Sequence, residues 1–580
     1  MVTGYRGSVQ TNYTQGVFPR YYAGTSHYFK NNKINLNVNY NYTNQKINRD
    51  QDGTVNFLDN TNNIEEIWKS NVNRNTWSET HNIALNFDYY LDDKNTLSLT
   101  STGLYTPYYK YQIRNSTDIT DNNQNFLSRF TAGNLSRDNK YNIGTDLIFR
   151  HDFENDASLS FNGHYTVYDY ERDQNVLSNF FDQNNTFDGS SEFNTLANQN
   201  TNIITGKVDY NLPVNETSSF DTGLKYSNVK TDSDITRLDI INGLEVLNAD
   251  NTDTFKYDEN VFAAYANYSK SWDKWDLKLG LRVEQTNIEG KSLTLSEINT
   301  QNYFNWFPVA SITHKLTEDI SIIGNYKRSI TRPNYTNLNP FTFFINENTV
   351  ILGNPNLVPT YQDHFKVGVD FLKHFAFEFY YDTYNGAIGE LPRQNNITNV
   401  VAITPTNFDK RTDFGFDFSF NYSITNNWSV YALTSFYQIK EEVNFGEGFI
   451  EQSQWSNLSI LTNSLSLLKD NSLNINLAMW YGNRNLQFFE TIEDRLISSL
   501  NITKAVFNKK GVISLSIEDL FNFQDFENST NYLNQSSLSI TDVDTRYIKL
   551  GFRYKFGNTK LNTNERSTDA EERERIKDLN

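Results

Sequence analysis

The sequence predicts an all-β protein, a transmembrane antiparallel up-and-down β-barrel of about 22 strands. Three observations support this fold class. Segments of about ten residues, each long enough to cross a bilayer as a tilted strand, alternate between apolar and polar side chains. The turns that join these segments are alternately short and long. No segment approaches the roughly 20 consecutive apolar residues of a membrane helix, so strands are the elements that could span a membrane.

The last segment, residues 546–556, has the clearest alternation. Successive side chains of a strand point to opposite faces. One face of this segment is apolar and aromatic and comprises Ile548, Leu550, Phe552, Tyr554 and Phe556. The other face is mostly basic and comprises Tyr547, Lys549, Gly551, Arg553 and Lys555. A wall of such strands would present apolar residues to lipid and polar residues to a watery lumen.

Similar segments recur along the whole chain and pair into hairpins. In chain order, the predicted strands are residues 7–14, 20–29, 33–42, 82–91, 96–105, 142–153, 157–168, 202–212, 219–229, 261–272, 275–286, 303–315, 320–330, 363–372, 375–388, 412–422, 428–438, 457–468, 472–481, 496–507, 511–520 and 546–556. Their even number would place both chain ends on the same side of the membrane.

The connections between these segments differ strongly in length. The short set comprises residues 31–32, 92–94, 273–274, 373–374 and 469–471, and the long set comprises 48–77, 173–201, 230–259 and 331–362. Outer-membrane barrels have short periplasmic turns and long extracellular loops. We therefore expect an outer-membrane location in a Gram-negative cell, with both termini periplasmic. A soluble all-β protein such as an adhesin is the alternative fold.

The composition agrees with a thin wall better than with a solid core. Only 37% of the 580 residues are hydrophobic, whereas 15% are aromatic, and the mean hydropathy is −0.63. The chain has no cysteine, which excludes disulfides and thiolate chemistry. A net charge of −18 argues against general nucleic-acid binding.

Two sets of residues are assigned by their position on the strands. Aromatic residues near strand ends are predicted to form an interfacial girdle, namely Trp272, Trp275, Trp428, Tyr554 and Phe556. Ordinary β-propensity is the alternative explanation for them. Charged residues on one face of the strand 275–286 are predicted to face the lumen, namely Asp276, Lys278, Arg282 and Glu284. Charges of both signs would be costly in a dry core.

The sequence divides into a barrel, residues 1–557, and a charged periplasmic C-terminal tail, residues 558–580, that we expect to be solvated. The first residues lack the basic and apolar pattern of a signal peptide. Because an outer-membrane protein must be exported, we expect the chain to be an N-terminally trimmed piece of a longer precursor.

The middle of the chain carries its most specific motif. It reads Tyr326-Lys327-Arg328-Ser329-Ile330-Thr331-Arg332-Pro333-x-Tyr335-x-x-Leu338-Asn339-Pro340-Phe341, followed by Gly353-Asn354-Pro355-x-Leu357-x-Pro359. This motif resembles the strand-and-loop signature of TonB-dependent outer-membrane receptors, and most closely the subgroup of outer-membrane β-barrel family proteins. Residues 280–286, 519–522 and 553–557 resemble the same family.

The resemblance implies a 22-stranded barrel in outer-membrane lipid that takes up a scarce solute, which could be a small molecule, a metal complex, a sugar or a peptide. It also implies a plug domain inside the barrel, on which the periplasmic protein TonB pulls. The sequence starts at the first barrel strand. We therefore expect the plug, and TonB through it, to belong to missing N-terminal sequence. A plugless pore, or a barrel that binds or presents through its surface loops, is the alternative function.

The motif supplies the candidate substrate-binding residues Arg332, Tyr335 and Asn339. The alternative is a purely structural loop, because prolines end a strand ladder and Gly353-Asn354 is typical of a turn.

No catalytic motif is present in the sequence. The seven histidines are scattered, and no His-Glu-x-x-His or Gly-x-Ser-x-Gly occurs. We therefore expect no enzymatic activity, no metal and no cofactor.

Overall fold

The computed structural model describes residues 3–294, 296–340, 342–346, 348–444, 448–568 and 570–576. These residues form 29 strands: β1 (Gly4–Gln15), β2 (Pro19–Lys30), β3 (Ile34–Leu58), β4 (Ile64–Tyr90), β5 (Asn95–Asp121), β6 (Phe126–Asp152), β7 (Ser158–Phe181), β8 (Phe187–Asn215), β9 (Ser218–Ile241), β10 (Leu244–Leu247), β11 (Asp253–Ser271), β12 (Trp275–Ser292), β13 (Glu297–Lys315), β14 (Ile320–Thr331), β15 (Thr342–Asn346), β16 (Thr349–Leu352), β17 (Thr360–Phe371), β18 (Phe375–Asn395), β19 (Val400–Thr425), β20 (Trp428–Asn444), β21 (Phe449–Leu467), β22 (Leu473–Gly482), β23 (Asn485–Gln487), β24 (Glu490–Ile492), β25 (Arg495–Val506), β26 (Gly511–Glu518), β27 (Phe526–Tyr532), β28 (Gln535–Val543) and β29 (Ile548–Gly557). The same ranges contain two short α-helices, α1 (Tyr335–Leu338) and α2 (Glu571–Glu574), and a 3-10 helix at Ala249–Asn251. Within them, no helix is long and apolar enough to cross a membrane.

A closed antiparallel barrel of 22 strands organises the molecule. Each strand pairs with the next along the chain, and β1 pairs with β29 from Arg6↔Gly557 to Gln15↔Ile548, which closes the cylinder. The barrel strands are β1–β9, β11–β14, β17–β22, β25, β26 and β29. The predicted fold class and strand number are therefore confirmed. We call the end that carries Gly4 and Gly557 the terminal end, and the opposite end the distal end.

The two faces of the wall differ in chemistry, as the alternation predicts. On β12, the side chains of Leu279 and Leu281 point outward and are 46% and 45% exposed, whereas Glu284 on the opposite face is buried. On β7, the outward residues 159–167 are mainly apolar, and Asp169, Glu171 and Asp173 follow them. This apolar stretch is about 26 Å long along the strand, or about 20 Å in height at a tilt of about 40°, compared with a band of roughly 25 Å in outer-membrane barrels. The wall therefore has a lipid-facing belt that ends in acidic residues on β7.

The long loops predicted from the sequence are mostly strand. Residues 48–58 and 64–77 continue the β3–β4 ladder, and the turn itself is only residues 59–63. The segment 173–201 likewise belongs to β7 and β8, and 230–259 belongs largely to β9, β10 and β11. The loop prediction was therefore wrong for these three segments. Their outward residues are mostly polar, so the apolar alternation ends although the hydrogen-bonded ladder continues.

These extensions form a second ring of strands beyond the belt, which we call the collar. It comprises the distal parts of β3–β9, β11–β13 and β18–β21, together with β24, β27 and β28. Several barrel strands, β1 and β2 among them, end below the collar. The β27–β28 hairpin replaces them, because β27 pairs with β24 and β28 pairs with β3. On β7 the collar continues for about 40 Å past the belt.

Three collar turns share one local design. Residues 59–63, 121–125 and 182–186 each begin with an aspartate whose Oδ1 accepts the backbone N–H groups two and four residues later, at 2.8–2.9 Å. The fourth residue of each turn has a positive φ, near 60°. In the third of these turns, the pKa of Asp182 lies below its ordinary value of 3.8, chiefly because its carboxylate accepts a hydrogen bond from the N–H of Thr186.

A seam between β13 and β14 interrupts the collar. β13 pairs with β14 only from Val309↔Lys327 to Lys315↔Ser321, although β12 pairs with β13 over its whole length. Side chains bridge the seam instead. Gln301 donates to the carbonyl of Leu357 at 3.0 Å, and Asn305 donates to the Tyr361 hydroxyl at 2.8 Å. The segment after β14 therefore fills the space where a ladder would otherwise run.

Candidate functional site in the lumen

The segment between β14 and β17, residues 332–359, folds into the barrel interior, and we call it the inner connection. It contains α1 and the β15–β16 hairpin. β16 pairs in parallel with β19, from Thr349↔Val401 to Ile351↔Ile403. On the other side, Phe344 and Val350 pack against Val176 of β7 and Phe193 of β8. The hairpin therefore bridges two separate parts of the inner wall.

The second half of the family-like motif is the bend that makes this path possible. A Cβ at Gly353 would lie 1.7 Å from the carbonyl oxygen of Asn339, so only glycine allows the two backbones to approach this closely. The N–H of Asn354 donates to the carbonyl of Asn337 at 2.7 Å, and its side chain donates to the carbonyl of Pro405 at 3.1 Å. These contacts give Gly353-Asn354 a structural role.

The β18–β19 hairpin also turns inward at the distal end. Gly386 has a φ of +69°, and the ladder skips it between Asn385↔Lys410 and Ala387↔Phe408. The register is the same on both sides, so the two strands separate locally at Gly386 and Asp409 and then pair again. Beyond this point, Gln394 donates to the carbonyl of Asn56 on β3 at 2.8 Å. The hairpin therefore reaches the opposite wall and narrows the distal opening together with the inner connection.

The C-terminal segment, residues 558–568 and 570–576, lies inside the barrel, which corrects the expectation of a solvated tail; the other tail residues, 569 and 577–580, lie outside the described residues. Gly557 has a φ of +77°, and the chain turns there into the lumen, with the Asn558 N–H on the carbonyl of Tyr5 at 2.8 Å. Leu561 is 1% and Ala570 7% exposed. The segment can lie in the lumen because its charged side chains pair with opposite charges and polar groups on the inner wall.

Three ion pairs connect the inner connection, the C-terminal segment and the wall. Arg332 of the inner connection lies 2.6 Å from Glu284 of β12. In the C-terminal segment, the guanidinium of Arg575 lies 2.5 Å from the carboxylate of Glu259 on β11. Glu572 lies 2.8 Å from Lys225 on β9. The acidic and basic side chains of the lumen are thus paired across three elements.

The structure places the three predicted substrate-binding residues in different environments. Arg332 is engaged by Glu284 and by the Thr286 hydroxyl at 3.0 Å. Tyr335 is only 3% exposed, and its hydroxyl donates to the carbonyl of Glu572 at 3.2 Å. Asn339 lines an open cavity. Substrate contact by these residues stays a prediction, and Arg332 also borders an open cavity.

This cavity is the largest space beside the inner connection in the described part of the chain. It has a volume of about 660 Å³, is open to solvent, and lies between the inner connection and the walls of β7, β8, β9, β18 and β19. Its lining includes Arg172, Gln199, Asn337, Asn339, Phe343 and Glu390. The guanidinium of Arg172 is held by Asp138 at 2.9 Å and lies over the Phe343 ring at 4.6 Å. The site thus offers amides, charges of both signs and an aromatic face.

Sequence reasoning missed Arg172, Gln199 and Glu390. The first two lie on parts of β7 and β8 within or close to a segment interpreted as a loop, and Glu390 lies just beyond the predicted end of β18. Alternation of buried and exposed residues continues through residues 164–178 of β7. This alternation is one of burial and not of residue type, so the sequence alone does not mark these positions.

The residues predicted to face the lumen share one face of β12. Arg282 lies 2.5 Å from Glu284, Asp276 pairs with Lys315 at 3.2 Å near the terminal end, and Lys278 is exposed. These four residues alternate with the outward leucines of the same strand.

The predicted girdle residues lie toward the terminal end. Trp272 and Trp275 flank the β11–β12 turn, and Trp428 begins β20; all three are exposed. Tyr554 and Phe556 lie near the terminal end of the ladder between β1 and β29. Their interfacial role stays a prediction. Phe341 of the family-like motif lies outside the described residues.

Comparison with solved structures finds proteins of this fold. The chain is 10% identical to the siderophore receptor PirA from Pseudomonas aeruginosa, with a TM-score of 0.53 over 96% of this chain and 81% of PirA. It is 12% identical to the ferripyoverdine receptor of the outer membrane of Pseudomonas aeruginosa, with a TM-score of 0.60 over 96% and 72% of the two chains. It is 12% identical to the copper transporter OprC, with a TM-score of 0.61 over 95% and 80%. At these identities the likeness establishes the fold alone.

No curated protein matches the sequence. A family model does: the model described as "Outer membrane protein beta-barrel family" matches residues 151–554, which run from the end of β6 into the closing strand β29. This match covers more than half of the chain. Together with the closed 22-stranded barrel, it establishes that the chain belongs to the outer membrane protein beta-barrel family.

Proposed function

We propose that this chain is the barrel of a TonB-dependent receptor that takes up a scarce solute across the outer membrane. The observation that carries the proposal is the inner connection, which folds into the lumen and lines an open cavity there. A wall alone would not need an ordered segment across its interior. The receptor-like fold of the barrel supports the same function.

The proposed orientation follows from the two ends of the barrel. The terminal end carries short turns, such as residues 91–94 and 272–274, and the distal end carries the collar. Short turns are periplasmic in outer-membrane barrels. We therefore place the terminal end, with Gly4 and Gly557, on the periplasmic side and the collar outside the cell, so that a solute would meet the collar and then the cavity.

The proposed energy source is TonB, acting through a plug domain, as in the receptor family that the motif resembles. The solved relatives include a siderophore receptor, a ferripyoverdine receptor and a copper transporter. For this chain, the cavity lining combines an apolar surface with amides and charges of both signs, which suits a solute that carries apolar groups together with hydroxyl, carboxylate or peptide groups. A metal complex, a sugar and a peptide all meet this requirement.

Growth on defined nutrients tests the proposal. A deletion strain supplied with a single source of iron, cobalamin, sugar or peptide should lose growth on one of them, and the intact gene should restore it. A gene that carries Asn339→Ala should restore growth less well at limiting solute. Asn139→Ala, an exposed collar position on β6, is the matched control. Normal growth of the deletion strain on every source would contradict the uptake function.

A second function, binding or presentation at the cell surface, is favoured by the collar. Its strands extend about 40 Å beyond the belt on β7, and their outward side chains are mostly polar. A purely surface-binding barrel would keep its partner when the cavity residues are changed. Cells with Asn339→Ala that still bind a ligand but no longer accumulate it would favour uptake, and cells that never accumulate any ligand would favour surface binding.

A further inference from the structure

The C-terminal segment makes its tightest contacts at its far end, where it meets the inner connection. Arg575 pairs with Glu259 and donates from Nε to the carbonyl of Pro333 at 3.0 Å. The N–H of Tyr335 donates to the carbonyl of Arg575 at 3.3 Å, and the guanidinium lies 4.3 Å from the centre of the Tyr335 ring. One arginine therefore ties the inner connection to the wall of β11.

Apolar packing strengthens the same anchor. Ile576 packs against a buried cluster to which Tyr335 and Leu338 of the inner connection belong, together with wall residues such as Ile203 and Val229. Ile576 also borders the open cavity. The end of the C-terminal segment thus lies directly beneath the candidate solute site.

The near end of the C-terminal segment is held less completely. Arg566 and Asn564 both contact Asp88, at 2.8 and 2.7 Å. Close by on the inner faces of β3 and β4, however, the side-chain amides of Asn37 and Asn86 are fully buried and make no hydrogen bond. Buried polar groups without partners are costly. Undocking would return these amides to water, so this part of the segment resists release weakly.

We propose that the C-terminal segment is a releasable strap, which holds the inner connection in place from the terminal side of the lumen. Breaking the Arg575 anchor frees the segment from its far end, and the under-bonded near end then follows. Release loosens α1 and the adjoining part of the inner connection while the barrel ladder stays intact. This device goes beyond solute uptake, because it concerns the mobility of the inner connection and requires no solute.

The full chain is suited to a labelling test because it has no cysteine. Ala570→Cys places a thiol at a buried position of the segment. In the folded, detergent-solubilised protein, a maleimide should label this thiol slowly. Adding Arg575→Met should raise the labelling rate at least about tenfold, since removing one partner of a buried pair leaves the other charge uncompensated. Glu259→Gln on the wall should have a similar effect.

The exposed residue Glu574 provides the matched control. Glu574→Gln removes a charge from the same short helix and should leave the labelling rate unchanged. Heat-dependent migration on a gel should confirm that every variant retains a folded barrel. Equal, fast labelling of the parent and the Arg575→Met protein would overturn the docked position of the segment.

A second label reads out the inner connection itself. A nitroxide on Thr336→Cys, in α1, should give a narrower spectrum when Arg575→Met is present and an unchanged spectrum with Glu574→Gln. Release of the segment without any change at Thr336→Cys would overturn its role as a strap. Neither measurement involves a solute. The strap proposal can therefore be wrong while the uptake proposal is right, and the reverse also holds.

Discussion

At the scale of single residues, the path of the chain inside the barrel depends on a few glycines. At these positions a side chain would clash or the backbone has a positive φ. Gly353 faces the carbonyl of Asn339 across the bend of the inner connection. Gly386 has a positive φ that turns the β18–β19 hairpin inward, and Gly557 does the same for the C-terminal segment. The sequence indicated a turn at Gly353-Asn354, but not the backbone that it would approach, because that contact joins residues of a folded loop.

We expect Gly353→Ala to displace the inner connection without unfolding the barrel. The new methyl group would overlap a backbone carbonyl that cannot rotate away. Proteolysis within residues 332–359 should become about tenfold faster, in line with an overpacking cost of about 1–3 kcal/mol. Gly163→Ala is the control, because a Cβ there meets no atom within 4 Å. Equal proteolysis of the two variants would contradict the close approach.

The collar turns give a prediction about pH. Because the N–H of Thr186 lowers the pKa of Asp182 below 3.8, ionised Asp182 stabilises its turn at neutral pH. This contribution is fully present above the unfolded pKa and is lost as the pH falls through the lower, folded pKa. A carboxyl-carbon NMR titration should therefore give a midpoint below 3.8 for Asp182. A midpoint at or above that value would exclude the backbone hydrogen bonds as its main influence.

At the scale of strands, the sequence predicted the membrane-embedded segments well and the collar poorly. The predicted strand 275–286 lies within β12, and 157–168 lies almost wholly within β7. Apolar residues mark these segments because lipid requires them on the outward face. In the collar, water replaces lipid, so outward residues such as Glu171 are polar and the pattern used to find strands is lost. Only the ladder to neighbouring strands reveals that β7 continues to Phe181.

The face assignment on β12 can be tested directly. Leu279→Arg places a charge on the lipid face and should cost about 2–4 kcal/mol of folding free energy if it lies near mid-bilayer. Lys278→Gln, its neighbour on the lumen face, should be far milder. A denaturant titration in lipid vesicles measures both. Similar losses for the two variants would count against lipid contact at Leu279.

At the scale of the molecule, the chain is a barrel whose distal interior is filled by its own segments. Of the three candidate residues that the family-like motif supplied, only Asn339 lines the large cavity. The wall of that cavity comes from β7, β8 and β9 and from β18 and β19, two groups of strands that are far apart in sequence. Closure of the barrel brings them together, and alternation along single strands carries no information about such an assembly. The lumenal position of the C-terminal segment was missed for the same reason.

The proposed orientation predicts which turns an antibody can reach. A short epitope inserted in the collar turn 182–186 should be labelled on intact cells. The same epitope inserted in the turn 91–94, at the terminal end, should be labelled only after the outer membrane is permeabilised. Labelling of the second insertion on intact cells, without labelling of the first, would invert the orientation.

The short β13–β14 ladder has a mechanical consequence. Only seven residue pairs join these strands, and the same number join β26 and β29, whereas β3 and β4 share a ladder along nearly their full length. A force that pulls neighbouring strands apart breaks the fewest backbone hydrogen bonds at these two places. The cylinder should therefore unzip first along one of these two lines, and during assembly in a bilayer they should be among the last to seal.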